Sequence, residues 1–513
     1  MSAAAEKGGN GGSPPDIAEI VRQVPLVDEA ADAIDYAGNW SSWGSLAATM
    51  ASVSQHIATP SPARIGVLLR NRPPQLAALL AVLGAGHCLV TLNPLYPDRA
   101  LNDDLDQLEL PVLIGSRADL DRAGIMAAAT DASSRVIELP ERLGEDCGLR
   151  SAGQAKIPSC GDSIVEMLTS GTTGPPKRIP LGRARFNKAF AHAVAQETGS
   201  TEPFQPAIRS GSRVLVAPIT HIGGLWGVLR WIASGRRLAL LEKFELSSWL
   251  DAVDRHQPMI VSLPPAALRM LVDAAPPREA LTSVKAITVG TAPTSPELID
   301  EVWSRYNIPC LTNYGATEFA GPVAGWSFAD FAYFRDAKRG SVGRVHPNIE
   351  ARIVDPSTGE VLPNGQDGVL ELRGEQLPGG GVWSRTTDLA RLDAERFLWI
   401  LGRADAAIIR GGFKIHPDDI RKALEAHPTV SEAVVVGLPH ARLGQVPAAA
   451  ITLVGEAQFD EAGLVAWLRE RLLPYQLPVL IHPMKELPRT ASMKPALAVV
   501  ETKLSELAQS RKV

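Results

Sequence analysis

The chain has 513 residues, 45% hydrophobic and 21% charged, a globular composition with enough length for more than one core. Its formal net charge of −5 excludes a basic field able to hold a nucleic-acid backbone, so no nucleic-acid partner is expected, although a small polyanion can still bind locally. Cys88, Cys147, Cys160 and Cys310 form no CxxC pair, and no run reaches the roughly 18 apolar residues of a membrane span; reduced thiols in a cytoplasmic protein are expected, with residues 1–15 a disordered tail and not a signal peptide.

An apolar strand at 65–69, a proline-started helix at 73–83 and a strand at 89–92 set a βαβ rhythm. Short apolar runs at 112–114, 214–217, 238–241, 259–262 and 286–289 continue it, which predicts layered α/β architecture with largely parallel sheets. From 350 to 401 the texture turns to short β pieces, at 351–354 and 369–373, broken by Pro363-Asn364-Gly365 and Pro378-Gly379-Gly380-Gly381; a β-rich subdomain at about 340–402 follows. After Gly402-Arg403-Ala404-Asp405 come a strand at 407–409, a helix begun at Pro417, a strand at 433–436 and a helix near 460–472, the pattern of a small α+β domain. The fold class is α/β, with a large N-terminal domain at 16–402, a junction at 403–405 and a C-terminal domain at 406–513. No repeat of fixed period is present, which excludes solenoids and propellers.

After the strand-like 164–168 comes Thr169-Ser170-Gly171-Thr172-Thr173-Gly174-Pro175-Pro176-Lys177. Glycines let the backbone approach a polyphosphate, hydroxyls and amides donate to its oxygens, and the lysine adds a point charge. Gly171 and Gly174 stand too close for a Walker A loop. A generic Ser/Thr/Gly cluster is more often a polar surface loop. This order, however, resembles the signature of the adenylate-forming superfamily of acyl-CoA synthetases, peptide-synthetase adenylation domains and luciferases.

Further matches follow in order along nearly the whole chain. Asn313-Tyr314-Gly315-Ala316-Thr317-Glu318 is similar to the family motif in which the tyrosine flanks adenine, the threonine touches the α-phosphate or acyl oxygen, and the glutamate helps hold Mg²⁺; a carboxylate is a hard ligand suited to that ion. Asp388 resembles the aspartate that accepts from the ribose hydroxyls, and Arg403 the nearby nucleotide-contacting arginine. Gly290-Thr291-Ala292-Pro293 resembles the turn that borders adenine and acyl group. Pro218-Ile219-Thr220-His221-Ile222-Gly223-Gly224 resembles the segment whose histidine borders the acyl site, with Gly223, Gly224, Gly290 and Gly315 as further pocket positions; Leu225, Trp226, Val228, Leu229 and Trp231 read as core. Asn93-Pro94-Leu95-Tyr96-Pro97 matches a stretch that is only structural.

The resemblance also implies a mobile C-terminal lid that rotates about a hinge at Asp405 between two half-reactions. Lys494, in Pro488-Arg489-Thr490-Ala491-Ser492-Met493-Lys494, resembles the lysine that bridges carboxylate and α-phosphate, while Gly411, Gly412 and Lys414 occupy the loop that lines the path for coenzyme A. The implied catalytic set is Lys494, His221, Thr317 and Glu318; the substrates are ATP with Mg²⁺, coenzyme A and a small carboxylic acid. An apolar acid fits better than an amino acid, since no carboxylate suggests itself for an α-ammonium group. The oligomeric state stays open, with a homodimer as one option.

Several positions depart from the family pattern. Met493 and Thr387 replace glycines, Arg178 follows Lys177 where glycine is usual, and His440 and Gln445 stand where acidic residues are common. A lost glycine matters only where the backbone needed positive φ or close approach. A variant that adenylates weakly and thioesterifies a preformed adenylate therefore stays open, as do a ligase that loads a carrier protein and a non-catalytic nucleotide-binding module. A luciferase-like oxygenase is disfavoured, because the ligase reading needs no extra step.

Overall fold

Strands Arg64–Leu68 and Cys88–Leu92 lie parallel, with Ile65 opposite Leu89 and Val67 opposite Thr91. Their crossover is helix Pro73–Gly84, whose two prolines occupy the first turn, where no backbone N–H is needed. Apart from Gln75 this helix is apolar, and it is buried along its whole length because it packs on this sheet and on helices Ile17–Gln23 and Trp43–Ile57. The computed structural model describes residues 16–59, 61–153, 155, 160–169, 177–198, 204–404, 406–411, 413–440, 442–490 and 493–511; the expected tail at 1–15 and hinge residue Asp405 lie outside them.

The described chain forms two units, 1–168 with 178–243, and 169–177 with 244–513. In the first, a seven-stranded sheet runs Gly148–Ala152, Arg135–Leu139, Val112–Ser116, Arg64–Leu68, Cys88–Leu92, Ser163–Thr169, Lys177–Gly182. A second sheet runs Ser212–Leu215, Arg237–Leu240, Asp32–Tyr36, Asn39–Ser42, parallel except for its last hairpin. Trp43 stacks on Trp231 at 5.1 Å between ring centroids, tying two helices of this unit together. The run expected at 214–217 is a strand only to Leu215, because the carbonyls of Val216 and Ala217 turn aside to accept from the Asn71 side chain.

In the second unit one sheet runs Ile260–Leu263, Ala286–Val289, Cys310–Ala316, Gly321–Gly325, Arg344–Val345. The β texture at 350–401 is an antiparallel sheet of Glu350–Val354, Asp367–Arg373, Ser384–Leu392 and Leu398–Arg403. The last sheet is built on Val430–His440 and Gly444–Leu453. Residues 433–436 alternate between its faces. Ala433 and Val435 join the core under helices Pro417–Glu425 and Glu461–Arg469, whereas Val434 and Val436 join the core that contains Leu504 of helix Leu497–Arg511. Among the described residues no helix is long and apolar enough to cross a membrane.

Leu80 is fully buried in the helix Pro73–Gly84. Leu80→Ala should cost about 2–5 kcal/mol, read as a lower denaturant midpoint for the first unit.

Candidate active site

Strand Cys310–Ala316 changes partner along its length. Its first residues pair parallel with Ala286–Val289, and Asn313 onward pairs antiparallel with Gly321–Gly325 across a bulge between Tyr314 and Gly315. The close hairpin demands glycine at 315, where a Cβ would stand 2.5 Å from the Gly321 carbonyl oxygen. Asn313 donates through Nδ2 to the Val289 carbonyl at 3.3 Å, which ties the motif to the turn Gly290-Thr291-Ala292-Pro293. Thr291 has φ of 72°, a strained conformation for a β-branched residue. A short 3₁₀ turn, Thr317–Phe319, then presents the Glu318 carboxylate to solvent.

Tyr314 reaches across to the antiparallel sheet, where its hydroxyl donates to the Asp388 carboxylate. Burial above all, then the charges of Asp388 and Glu318, push that hydroxyl far above the usual tyrosine value, so it stays protonated and keeps donating. Asp388 lies opposite Arg403 in the strand register, and the Arg403 charge also reaches Tyr314, opposing the rise. Lys494 joins this group electrostatically. Burial lowers its pKa below the ordinary lysine value, and the Glu318 carboxylate acts against that shift. The second unit thus brings together Tyr314, Glu318, Asp388, Arg403 and Lys494, drawn from stretches up to 180 residues apart.

The departures from the family pattern are of two kinds. Thr387 and Arg178 are absent from the positive-φ positions, so a side chain there meets no backbone strain. Arg178 is instead used: its guanidinium pairs with Asp104 at 2.5 Å and donates to the carbonyls of Thr91 and Glu166 at 3.2 and 3.3 Å, fastening Lys177–Gly182 to its sheet. Met493 does carry the glycine-like backbone, with φ of 60°, a conformation that costs an L-residue about 1–2 kcal/mol. His440 accepts from the N–H groups of Arg442 and Leu443, both at 3.2 Å, and Gln445 Oε1 from Ile409 N at 3.2 Å; both shape the hairpin edge beside Gly411.

Gly411 has φ of 58° in the turn between Ile408–Arg410 and Phe413–Ile415. Lys414 lies in the second of those strands; its side chain, like Gly412, lies outside the described residues. So do Ser170, Gly171, Thr172, Thr173 and Gly174 of the phosphate loop. At the loop's two ends the Thr169 hydroxyl donates to the Lys177 carbonyl at 3.0 Å, and the Lys177 side chain is exposed.

In the first unit His221 precedes helix Ile222–Ser234, whose Leu225, Trp226, Val228, Leu229 and Trp231 are buried core, as expected. Gly224 is enforced by packing, since a Cβ there would stand 2.1 Å from the Pro218 carbonyl oxygen; Gly223 is exposed. Thr91, Asn93, Tyr96, Leu168, Thr220 and His221 line a cavity of about 10 Å³, room for one water and not for an acid.

The residue that shapes this loop escaped the sequence reading. Asn71, 3% exposed, donates to the carbonyls of Val216, Ala217 and Leu241 at 3.1–3.3 Å and accepts from Ile219 N at 3.0 Å. A single asparagine between a strand and Arg72-Pro73 has no pattern to mark it.

The family model for AMP-binding enzymes matches residues 22–380, and that for the AMP-binding enzyme C-terminal domain matches 419–494. The chain belongs to the AMP-binding enzyme family. This AMP-binding enzyme is 28% identical over 460 residues to the 2-succinylbenzoate–CoA ligase of Bacillus velezensis, covering 86% of this chain and 88% of that protein. It is 30% identical over 338 residues to 4-coumarate–CoA ligase-like 9 of Arabidopsis thaliana, covering 61% of this chain but only 57% of that protein's length. Its fold is shared with ATP-bound MatB from Rhodopseudomonas palustris, at TM-score 0.79 and 24% identity over 96% of this chain and 99% of that one. It is shared too with o-succinylbenzoate CoA synthetase from Bacillus subtilis in complex with its acyl-adenylate, at TM-score 0.73 and 23% identity over 96% and 98%. The AMP-binding enzyme is an acid–thiol ligase of the AMP-forming class.

Asn71→Ala in this enzyme would leave the Ile219 N–H and several carbonyls unsatisfied. The expected loss is about 1–3 kcal/mol by denaturant titration, with faster hydrogen exchange at Ile219 and His221.

Proposed function

We propose that this enzyme activates an apolar carboxylic acid with ATP and passes the acyl group to coenzyme A. In the first step a carboxylate oxygen attacks the α-phosphorus, the bond to the pyrophosphate oxygen breaks, and pyrophosphate leaves. In the second the thiol adds to the acyl carbonyl, its proton is released, and AMP leaves. The observation that carries the reading is the convergence of Tyr314, Glu318, Asp388, Arg403 and Lys494 in one unit. Aromatic acids are the first candidates, because the relatives include ligases named for 2-succinylbenzoate and 4-coumarate.

The donor set fits these substrates. The Asp388 carboxylate, held by the Tyr314 hydroxyl, would accept from the ribose hydroxyls, and the Tyr314 ring would lie against adenine. Among the described residues no cluster of three His, Cys, Asp or Glu side chains forms a metal centre. Glu318 would therefore contribute a single carboxylate to Mg²⁺, with phosphate oxygens supplying most of the rest; the ion's contribution when bound is to neutralise phosphate charge. Lys494 and Thr317 would face the oxygens on which charge builds during attack. His221, Gly223, Gly224, Gly290 and Gly315 would border the acid, the loop from Thr169 to Lys177 with Thr291, Ala292, Pro293, Asn313 and Ala316 the nucleotide, and Gly411, Gly412 and Lys414 coenzyme A.

In this reading residues 406–513 rotate against 16–402 about 403–405, with Asp405 the hinge. The left-handed backbone of Met493 supports an intact first half-reaction over the thioester-only alternative, because the turn keeps the shape a glycine would favour.

Lys494→Ala should slow acid-dependent pyrophosphate release roughly 10²- to 10³-fold while sparing thioester formation from a supplied acyl-adenylate; equal loss in both would refute the assignment. A second expectation concerns pH. Because burial lowers the Lys494 pKa, the cation is present at low pH and is lost below the usual lysine range as pH rises. The kcat/KM for adenylation should fall along that alkaline limb, and Lys494→Arg should move the limb to higher pH.

A further inference from the structure

Backbone hydrogen bonds tie residues 488–490 to 493–496 in a turn. The Ala496 N–H donates to the Pro488 carbonyl at 2.8 Å, the Met493 N–H to Thr490 O at 2.9 Å, and the Thr490 N–H to Lys494 O at 2.8 Å. The Thr490 hydroxyl donates to that same Lys494 carbonyl at 3.3 Å. Within this turn Met493, directly before Lys494, holds the left-handed conformation that a side chain disfavours. Surrounding contacts must hold it there, and one of them leads to the sheet.

Arg489 supplies the connection. Its Nη1 donates to the Met493 carbonyl at 3.1 Å, while its Nη2 pairs with Glu432 Oε2. Glu432 stands on the strand Val430–His440, next to a register shift and opposite Thr452, so the carboxylate is fixed to the sheet at the centre of the C-terminal core. Both side chains are about three-quarters buried, at 25% and 24% exposure, which shields the pair from solvent screening. A planar guanidinium can serve a carbonyl and a carboxylate at once, which an ammonium cannot do in the same geometry.

We propose that Arg489 and Glu432 are positioning residues for Lys494: the pair fastens the strained turn at Met493 to the C-terminal sheet and so fixes where the lysine ammonium points. Neither touches the reacting atoms. The proposal rests on the reading of Lys494 as the adenylation cation. It assigns to Arg489 a task separate from overall charge, and it explains how this chain keeps a glycine-like turn with methionine in it.

The test compares Arg489→Ala, Arg489→Lys and Glu432→Gln with Lys494→Ala and the double variant Arg489→Ala/Lys494→Ala. Pyrophosphate release and thioester formation from a synthetic acyl-adenylate are measured separately, and thermal melts show that each protein is folded. Arg489→Ala should slow adenylation about tenfold to a hundredfold, as expected for a misplaced catalytic group, and leave the thioester step near wild type. Arg489→Lys, which keeps the charge on Glu432 but not the fork to Met493, should recover part of the loss, and Glu432→Gln should resemble it. The alkaline limb of adenylation should also shift in Arg489→Ala, which mere loosening of the domain would not produce. In the Lys494→Ala background the arginine change should add almost nothing.

A selective Lys494→Ala defect together with normal adenylation in folded Arg489→Lys and Glu432→Gln would overturn the proposal alone. Multiplicative losses in the double variant would overturn it as well. If Lys494→Ala itself slowed both half-reactions equally, the reading of the lysine would fail instead.

Discussion

The hydrogen bond from the Tyr314 hydroxyl to the Asp388 carboxylate is the contact on which the candidate site depends. It spans 74 residues of sequence and joins the end of a strand in one sheet to the middle of a strand in another. A half-buried carboxylate is costly unless donors satisfy it, and a buried phenol is costly unless it finds an acceptor; each group here solves the other's problem. Because burial and two carboxylates keep the phenol protonated, the bond keeps one polarity, with tyrosine the donor.

Charge balance around that bond follows from the same burial. Glu318 and Asp388 place two carboxylates near Tyr314, and Arg403 and Lys494 place two cations against them. Burial lowers the lysine pKa, so the ammonium is poorly solvated and responds strongly to nearby negative charge.

Backbone strain marks the same stretches. Thr291 and Met493 are both left-handed, and both lie in stretches picked out by their order of residues. Strain of this kind persists only when surrounding contacts over-determine it. At Thr291 the neighbouring Asn313 bond to Val289 fixes the turn's approach, and at Met493 the contacts come from Arg489 and Thr490. In the first unit the corresponding work is done without strain, by Asn71 gathering three carbonyls and one amide beneath the His221 loop.

The sequence by itself determined the fold class and the family. Local patterns sufficed there: a proline-started helix at 73–83 between two apolar strands sets a βαβ rhythm, the unbroken apolar run at 433–436 reads as a buried strand, and the motifs at 313–318 and 488–494 carry the family resemblance in consecutive residues. Strand ends at 214–217 and 259–262 shifted by one or two residues, because side-chain acceptors and solvent decide where pairing stops, and these are not local. Only the tertiary structure decided which departures matter. Arg178 and Thr387 replace glycine without positive φ, while Met493 carries it, since φ depends on where the chain must go next. Only the tertiary structure, too, could reveal Asn71, Glu432 and the Tyr314–Asp388 bond. Their partners lie 57 to 170 residues away, and a hydrogen bond across that distance leaves no spacing for a sequence to display.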